Sequence, residues 1–214
     1  MKRKLLLIGG GGHCKSVLDS LYELNEYDSI GIIDKKENIG KYILSTPIIG
    51  SDTDLHTLLN QGYKEAFITL GSIGDSSLRV KLTHLVEDIG FKLPNIIDPS
   101  AIVSNYSNLA EGIFVGKRTI LNAGVNIGKA TILNTNSTVE HDSNIGAYVH
   151  ISPGAVVCGG VTVSANSHIG ASSVIKQGIS IGKNTTIGMG SVVLEDIDSN
   201  VIAFGNPCKG VQQK

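Results

Sequence analysis

Residues 120–163, ILNAGVNIGKATILNTNSTVEHDSNIGAYVHISPGAVVCGGVTV, decide the fold of this chain because every sixth residue is aliphatic. The series runs from Val103 to Val193 without a miss and has sixteen members. A small or β-branched residue stands two positions before each of them, and glycine, asparagine or serine mostly follows. A period of six matches neither an amphipathic helix nor an alternating strand. It is typical of a solenoid with three short strands per coil, each placing one large and one slim side chain inside.

The sixteen hexads predict an all-β parallel β-helix of about five coils, with coils stacked at the usual strand spacing of about 4.8 Å. Because hexapeptide coils of this kind wind left-handed in known families, we expect a left-handed β-helix. We assign residues 98–214 to this domain, including a polar, proline-containing tail over Phe204–Gly210. Most soluble hexapeptide β-helices transfer acyl groups, so the fold itself favours an acyltransferase.

Residues 1–97 follow a different pattern and predict a Rossmann-like α/β domain. Strand and helix patterns alternate, which indicates a small parallel sheet with helices on its faces. The predicted strands are Lys4–Ile8, Ser29–Ile33 and Ala66–Leu70, and the predicted helices follow Gly12 and cover Asp52–Gln61 and Ser76–Ile89. Asp98–Pro99 marks the domain boundary because a residue before proline avoids helical geometry.

Charge, cysteine content and hydropathy argue against several classes of partner and location. The formal net charge is −1, and no basic cluster indicates nucleic acid binding. The three cysteines, Cys14, Cys158 and Cys208, are widely spaced and form no CxxC pair, which argues against disulfides and zinc. The apolar run at residues 4–8 is far too short for a signal peptide or a membrane span. We therefore expect a cytoplasmic protein with no membrane insertion.

The first predicted strand ends in four glycines, Gly9–Gly12, at the start of a helix. Backbone N–H groups at a helix N-terminus favour an anion. Two stricter motifs fail here: the dinucleotide fingerprint lacks its third glycine, and Cys14 occupies the position of the P-loop glycine before Lys15–Ser16. The pattern is compatible with a phosphate-bearing ligand or with a purely structural turn. If a ligand binds, the loops at Gly11–His13, Asp34–Lys35 and Gly71 would form its pocket.

His141 is the strongest catalytic candidate because Glu140 and Asp142 flank it. A carboxylate on one ring nitrogen fixes the tautomer and makes the other nitrogen a better base. One coil is eighteen residues, so Gly159 lies directly above His141, where its N–H could stabilise an oxyanion. Cys158 is interpreted as small filler rather than a nucleophile.

Two further histidines, His150 and His168, stack one coil apart. For His168 we predict an ordinary solvated surface position. For His150 two interpretations stay open, ligand binding and packing at a subunit contact.

The chain resembles the bacterial sugar-nucleotide acetyltransferases of the bacillosamine-pathway N-acetyltransferase and sialic acid O-acetyltransferase family. The resemblance covers nearly the whole chain and is carried by IGGGGHCKSV, GIIDKK, TLGS, the hexads around VEHDSNIGAYVH, and GNPCKGV. It implies that His141 is the base, that Asp142 tunes its basicity, and that His150 contacts acetyl-CoA. It also implies backbone contacts from Ala171 and Met189 to a CoA lying between neighbouring subunits of a homotrimer.

The same resemblance implies that the N-terminal loops hold a nucleotide sugar through Gly11, Gly12, His13, Asp34, Lys35 and Gly71. Asn134 is expected to line the sugar, and Glu140 is assigned to substrate binding. The chain departs from the family pattern in its extra glycines at Gly9–Gly12 and in Lys35, where relatives commonly have an acid. Both departures bear on phosphate placement and base specificity.

We therefore predict an acetyl-CoA-dependent N-acetyltransferase that acetylates a nucleotide-linked, UDP-bearing 4-amino-4,6-dideoxy sugar in surface-glycan biosynthesis, with no metal. One alternative is an O-acetyltransferase acting on sialic-acid-like sugars without a nucleotide. A second is a non-catalytic solenoid that only binds a sugar nucleotide, against which the Glu140–His141–Asp142 cluster argues. A carbonic-anhydrase-type protein would need a third metal-binding histidine beside His150 and His168, and none is evident.

Overall fold

The computed structural model describes residues 3–213, which divide into two compact units. The first comprises the chain up to Gly71 together with Ser77–Ile96, and the second comprises Ser72–Ser76 and the chain from Ile97 onward. The division therefore lies one residue before the boundary expected from the sequence. The short segment Ser72–Ser76 leaves the first unit and belongs to the second.

The first unit contains a five-stranded sheet in the order β3-β4-β2-β1-β5. Its strands β1, β2, β4 and β5 are parallel, while β3 and β4 form an antiparallel hairpin. The strands are β1 Lys4–Ile8, β2 Ser29–Ile33, β3 Tyr42–Ile43, β4 Thr46–Gly50 and β5 Glu65–Ile68. The helices are α1 Gly12–Leu24, α2 Leu55–Asn60 and α3 Ser77–Ile89, with short 3₁₀ turns at Lys36–Asn38 and Asp52–Asp54.

Parallel pairing brings the carboxyl ends of four strands to one edge of this sheet. The loops that leave this edge start at Gly9, Asp34, Ser51 and Thr69. Leu6, Ile8 and Ile33 on one sheet face are buried in a core that includes Leu58, Leu82 and Val86 of the helices, and Leu5, Leu7 and Ile32 on the other face are also buried. The packed sheet therefore supports a row of loops at its carboxyl edge, where open α/β sheets bind ligands.

The second unit is the left-handed β-helix that the hexads predicted. Each inward aliphatic residue is the second residue of a two-residue strand, and each strand pairs in parallel with the one eighteen residues later, as Ile120 does with Thr138. The strands are β6 Ile96–Ile97, β7 Ile102–Val103, β8 Asn108–Leu109, β9 Phe114–Val115, β10 Ile120–Leu121, β11 Asn126–Ile127, β12 Ile132–Leu133, β13 Thr138–Val139, β14 Asn144–Ile145, β15 His150–Ile151, β16 Val156–Val157, β17 Thr162–Val163, β18 His168–Ile169, β19 Val174–Ile175, β20 Ser180–Ile181, β21 Thr186–Ile187, β22 Val192–Val193, β23 Val201–Gly205 and β24 Cys208–Gln213. The last two form an antiparallel hairpin over the residues predicted as a tail.

These strands form three sheets, one on each side of the coil. We call them the β10 sheet (β7, β10, β13, β16, β19, β22), the β11 sheet (β8, β11, β14, β17, β20) and the β12 sheet (β6, β9, β12, β15, β18, β21, with the terminal hairpin). The inward positions two residues before each aliphatic residue have room only for slim side chains, and many of them hold serine or threonine. Ser143 Oγ, for example, donates to the carbonyl of Cys158 at 3.0 Å, so its buried hydroxyl is hydrogen-bonded.

From the turn after Leu109 to the turn after Ile187, a left-handed residue stands three positions after the inward aliphatic residue. The residues with positive φ recur every six positions, at Gly112, Arg118, Gly124, Ala130, Asn136, Asp142, Tyr148, Gly154, Gly160, Asn166, Ser172, Gly178, Asn184 and Gly190. Glycine, asparagine and aspartate tolerate this conformation best, which explains their frequency there. No described helix has the length and hydropathy needed to cross a bilayer.

Candidate active site

His141 and Asp142 form a hydrogen-bonded dyad on the turn that follows β13. The His141 Nδ1–H donates to Asp142 Oδ2 across 2.9 Å. Asp142 is the left-handed residue of this turn, with φ of 60°, and in this conformation its carboxylate meets the ring of the preceding residue. Because a carboxylate only accepts hydrogen bonds when ionised, Nδ1 carries the ring proton and Nε2 keeps its lone pair.

Two glycines clear the space around this dyad. A Cβ at Gly159 would lie 2.6 Å from His141 Nε2, and a Cβ at Gly124 would lie 2.6 Å from Asp142 Oδ1. The coil backbone also supports the turn, since Gly160 N–H donates to the His141 carbonyl at 2.9 Å. The imidazole therefore lies directly over the backbone of the next coil, as the eighteen-residue spacing predicted.

The electrostatics of this turn suit a general base. The hydrogen bond to Asp142 raises the pKa of His141 above its ordinary value, and the charges of Asp142 and Glu140 act in the same direction. The ring is exposed, with 65% of its side chain accessible, beside an open cavity of about 300 Å³. None of the hydrogen bonds within residues 3–213 occupies the N–H of Gly159. A substrate can therefore reach both a basic nitrogen and a free backbone donor.

Sequence reasoning missed three residues of this cavity, of which only Gln177 has a polar side chain. Gln177 lies one coil beyond Gly159 and lines the cavity together with Gly160 and Gly178. The same arithmetic that placed Gly159 over His141 would have placed Gln177 over Gly159. Its exposed amide adds a hydrogen-bonding group near the basic nitrogen.

His150 and His168 lie on a different side of the coil, on the β12 sheet. His150 Nδ1–H donates to the Ser72 carbonyl at 2.8 Å, and His150 Nε2 lies 3.3 Å from Asn134 Nδ2. A carbonyl only accepts and an amide NH₂ only donates, so this ring is held as the neutral Nδ1–H tautomer. Asn134 and His150, expected to contact different substrates, are therefore brought together in one hydrogen-bonded group.

The prediction that His168 is solvated was wrong. His168 is only 8% exposed, and its ring packs edge-on against that of His150 with centroids 5.0 Å apart. Its Nε2 lies 3.3 Å from Ser152 Oγ. Stacking along the solenoid produces this burial, because parallel register places His150 and His168 directly opposite each other.

Ala171 and Met189, the expected CoA contacts, occupy the edge that follows the β12 sheet. They lie one coil apart, and the Ala171 carbonyl accepts a hydrogen bond from Gly190 at 2.8 Å. Met189 is 81% exposed. His141 follows the β10 sheet, so the expected CoA contacts and the basic dyad lie on different edges of the same chain.

The first unit contains a separate cavity of about 560 Å³ at the carboxyl edge of its sheet. Gly11, Asp34 and Lys35, three of the residues expected to bind substrate, line it. Gly12, His13 and Gly71 are not among its lining residues. The remaining lining residues are Ile8, Gly9, Gly10, Ile33, Lys36, Ser51, Asp52, Thr53, Leu70, Leu78 and Leu82. Sequence reasoning missed Ser51–Thr53, because it assigned Asp52–Gln61 to a helix and gave this segment no part in the pocket.

Asp34 organises the glycine turn of this cavity. Its carboxylate accepts hydrogen bonds from Gly10 N–H at 2.6 Å, Lys35 N–H at 2.6 Å and Asn38 Nδ2 at 3.0 Å. Partial burial acts to raise the pKa of Asp34, but these hydrogen bonds outweigh it and hold the pKa below the ordinary value. Asp34 therefore remains ionised and ties the β2 loop to the glycine turn.

His13 lies in the first turn of α1, near Gly71. A Cβ at Gly71 would lie 3.6 Å from the Cβ of His13. Burial, together with the charge of Arg79, lowers the pKa of His13 to about 4. His13 is therefore neutral at physiological pH and contributes no positive charge to an anion.

Comparison with known proteins bears on both units. Residues 4–86 match the PglD N-terminal domain, and residues 165–195 match the hexapeptide repeat of succinyl-transferase. The structure is similar to PerB from Caulobacter crescentus in complex with CoA and GDP-perosamine, at 36% identity, 98% and 97% coverage of the two chains and a TM-score of 0.91. It is also similar to the acetyltransferase domain of PglB from Neisseria gonorrhoeae in complex with acetyl coenzyme A, at 32% identity, 99% and 100% coverage and a TM-score of 0.92.

The chain belongs to the bacterial sugar acetyltransferase family. As a member, this sugar acetyltransferase uses acetyl-CoA as its acyl donor. WeeI from Acinetobacter baumannii is a more distant similar structure, at 25% identity, 98% and 100% coverage and a TM-score of 0.88. Within residues 3–213 of the sugar acetyltransferase, no group of three or more histidine, cysteine, aspartate or glutamate side chains could hold a metal ion.

Proposed function

We propose that this acetyltransferase moves the acetyl group of acetyl-CoA to the amino group of a nucleotide-linked 4-amino-4,6-dideoxy sugar destined for a surface glycan. The observation that carries the proposal is the exposed His141–Asp142 dyad above Gly159. A similar enzyme is a perosamine N-acetyltransferase, whose complexes with CoA and GDP-perosamine include variants with a histidine replaced by asparagine or alanine. N-acetylation is therefore favoured over the O-acetylation of sialic-acid-like sugars.

His141 acts as the general base. Its Nε2 takes a proton from the sugar amine as the amine nitrogen forms a bond to the thioester carbon. Asp142 keeps the opposite nitrogen protonated and stabilises the imidazolium that results. Collapse of the tetrahedral intermediate breaks the carbon–sulfur bond, and the imidazolium returns its proton to the leaving CoA sulfur. No covalent enzyme intermediate forms.

Gly159 stabilises the charge that develops in this step. The Gly159 residue lies beside the basic nitrogen, and its N–H has no internal acceptor among residues 3–213, so it is available to the thioester oxygen. A preorganised backbone donor costs no reorganisation when the oxyanion forms. Gln177 lines the same cavity and is positioned to contact the acetyl group or the adjoining arm of CoA.

The cavity of the first unit is the proposed nucleotide site. Helix α1 spans thirteen residues, and its N-terminus follows the glycine turn in the cavity wall. Such a terminus offers unpaired N–H groups and a partial positive charge to a diphosphate. Leu70, Leu78 and Leu82 supply an apolar wall for the flat face of a base.

We propose a homotrimer, because one chain does not bring the expected groups together. His141 follows the β10 sheet, whereas Ala171 and Met189 follow the β12 sheet, one side of the coil away. Six residues at strand rise make this side roughly 20 Å long. A neighbouring copy related by threefold symmetry would place the edge that carries its Ala171 and Met189 beside the edge that carries His141 of this chain. CoA would then lie in the groove between two solenoids.

The test is a CoA-release assay with acetyl-CoA and a panel of acceptors: UDP- and GDP-linked 4-amino sugars, CMP-sialic acid and free sialic acid. We expect turnover with a nucleotide-linked amino sugar, and we expect the rate to fall about 10²- to 10⁴-fold in His141→Ala. His56→Ala, which removes an exposed histidine of α2, is the matched control and should keep full activity. Turnover with sialic acids alone would establish the O-acetyltransferase alternative, and absence of turnover with every acceptor would contradict catalysis of either kind.

A further inference from the structure

Two carboxylates, Asp34 and Asp52, line the proposed nucleotide cavity, and they differ in their internal hydrogen bonds. Asp34 already accepts three internal hydrogen bonds, from Gly10, Lys35 and Asn38. These contacts hold the β2 loop against the glycine turn. Asp34 is therefore largely committed to the architecture of the cavity.

Asp52 stands on the loop directly after β4, the strand next to β2, and lines the same cavity. It is exposed, and none of the side-chain hydrogen bonds or ion pairs within residues 3–213 involves it. The cap of the following helical turn does not depend on Asp52. Asp54 closes that cap instead, by accepting from Ser51 N–H at 2.8 Å and Ser51 Oγ at 2.9 Å.

A free carboxylate on a cavity wall selects ligands by their donors, because an ionised carboxylate can only accept hydrogen bonds. Guanine presents two parallel donors on one edge, N1–H and the 2-amino group, which match the two oxygens of a carboxylate. Uracil presents a single N3–H between two carbonyl oxygens, and these oxygens would face the carboxylate unfavourably. Two parallel charge-assisted hydrogen bonds are stronger and more specific than one.

We infer that Asp52 recognises the Watson–Crick edge of guanine, so that the acceptor of this enzyme is linked to GDP rather than to the UDP expected from the sequence. The inference rests on the proposed function and specifies its nucleotide. Lys35 and Lys36 on the same wall provide positive charge for the remaining polar groups of the nucleotide. The apolar residues Leu70, Leu78 and Leu82 remain for the face of the purine.

The test compares the binding of GDP, inosine diphosphate and UDP to the full chain by isothermal titration calorimetry. Inosine diphosphate differs from GDP only by lacking the 2-amino group, so the ratio of the two affinities isolates one donor. We expect GDP to bind about tenfold or more tightly than either other ligand, since a hydrogen bond to a charged group contributes about that much. Asp52→Ala should bring the ratio of GDP to inosine diphosphate affinity close to one. Glu37→Ala, which removes an exposed carboxylate outside the cavity lining, should keep the wild-type ratio.

Three outcomes would overturn the inference. Equal or tighter binding of UDP to the wild-type chain would exclude guanine selectivity while leaving the proposed acetyl transfer intact. A loss of affinity in Asp52→Ala that is equal for all three ligands would show that Asp52 supports the loop without reading the base. Failure of all three diphosphates to bind would contradict the nucleotide-linked acceptor itself, and the proposed function with it.

Discussion

At the scale of single residues, the dyad depends on a backbone conformation as much as on its side chains. Asp142 adopts φ of 60°, a left-handed conformation that aspartate and asparagine tolerate better than most residues. Asparagine can therefore replace Asp142 without disturbing the turn. The substitution therefore removes the charge of Asp142 while it keeps the size and shape of the side chain.

Asp142→Asn should shift the pH dependence of catalysis toward acid. The base must be neutral to act, so activity is lost as pH falls through the pKa of His141, which Asp142 raises. Removing the charge lowers that pKa, so the acidic limb of kcat should move to lower pH. The plateau at high pH should fall at least about tenfold, because the ring becomes a weaker and less well oriented base. A kcat profile measured between pH 5 and pH 9 checks this.

Glu140→Gln provides the comparison for that profile. Glu140 acts on His141 only through its charge, whereas Asp142 also accepts a hydrogen bond, so the shift should have the same direction and be smaller. A profile of Asp142→Asn that coincides with the wild type would contradict the role of Asp142 as the tuning residue.

Gly159→Ala should inactivate the enzyme without unfolding it. The added Cβ would lie 2.6 Å from His141 Nε2, so the exposed ring must move away from its position over the next coil. Misplacement of a general base by about 1 Å can reduce the rate about 10²-fold. The measurement is kcat together with Tm. Cys158→Ala, which changes the neighbouring residue without approaching the ring, should retain near wild-type activity; equal activity of the two variants would refute the steric argument.

At the scale of elements, the solenoid core consists of single aliphatic side chains stacked one per strand. Ile151 is completely buried, whereas Val174 on a later strand points outward and is 39% exposed. Ile151→Ala should lower the free energy of unfolding by about 2–5 kcal/mol, because a rigid stack cannot collapse into the space left behind. Val174→Ala is the surface control, with an expected change within about 0.5 kcal/mol. Tm and urea unfolding at one fixed protein concentration compare them, and equal losses would contradict the inward–outward assignment.

Elements with a strong apolar pattern could be predicted from the sequence, and short or partly exposed elements could not. The strand Ser29–Ile33 and the sixteen hexad strands occupy their predicted positions because each carries its own apolar pattern. The hairpin Tyr42–Ile43 with Thr46–Gly50 was missed, since its strands are short and partly exposed. The predicted helix over Asp52–Gln61 instead begins as a 3₁₀ turn, and this turn supplies the cavity residues that sequence reasoning overlooked.

At the scale of the whole molecule, the proposed trimer predicts complementation between two inactive variants. His141→Ala damages the edge that carries the base, and Ala171→Arg would obstruct the edge expected to contact CoA. If each groove uses one edge from each of two copies, mixed oligomers contain some grooves with both edges intact. Every mixed trimer has one intact groove out of three, so the sample purified through both tags should show roughly a third of wild-type activity. Co-expression of two differently tagged chains, purified through both tags, provides the sample.

The two variants assayed separately should each remain inactive, and light scattering should give about three times the chain mass of 22.5 kDa. Absence of activity in correctly assembled mixed oligomers would mean that each chain binds CoA along its own edges. A monomer in light scattering that still turned over substrate would lead to the same conclusion.

The sequence by itself determined the solenoid and the pairing of His141 with Asp142 and Gly159, because a fixed eighteen-residue coil converts spacing directly into position. The hexad pattern of aliphatic and slim side chains, repeated along the solenoid, was sufficient for these predictions. Only the tertiary structure decided the burial of His168, the hydrogen bonds from His150 to Ser72 and Asn134, and the separation of Asp34 from Asp52 into a committed and a free carboxylate. Burial and hydrogen-bond satisfaction depend on groups that are distant in sequence, and no periodicity within one segment contains that information.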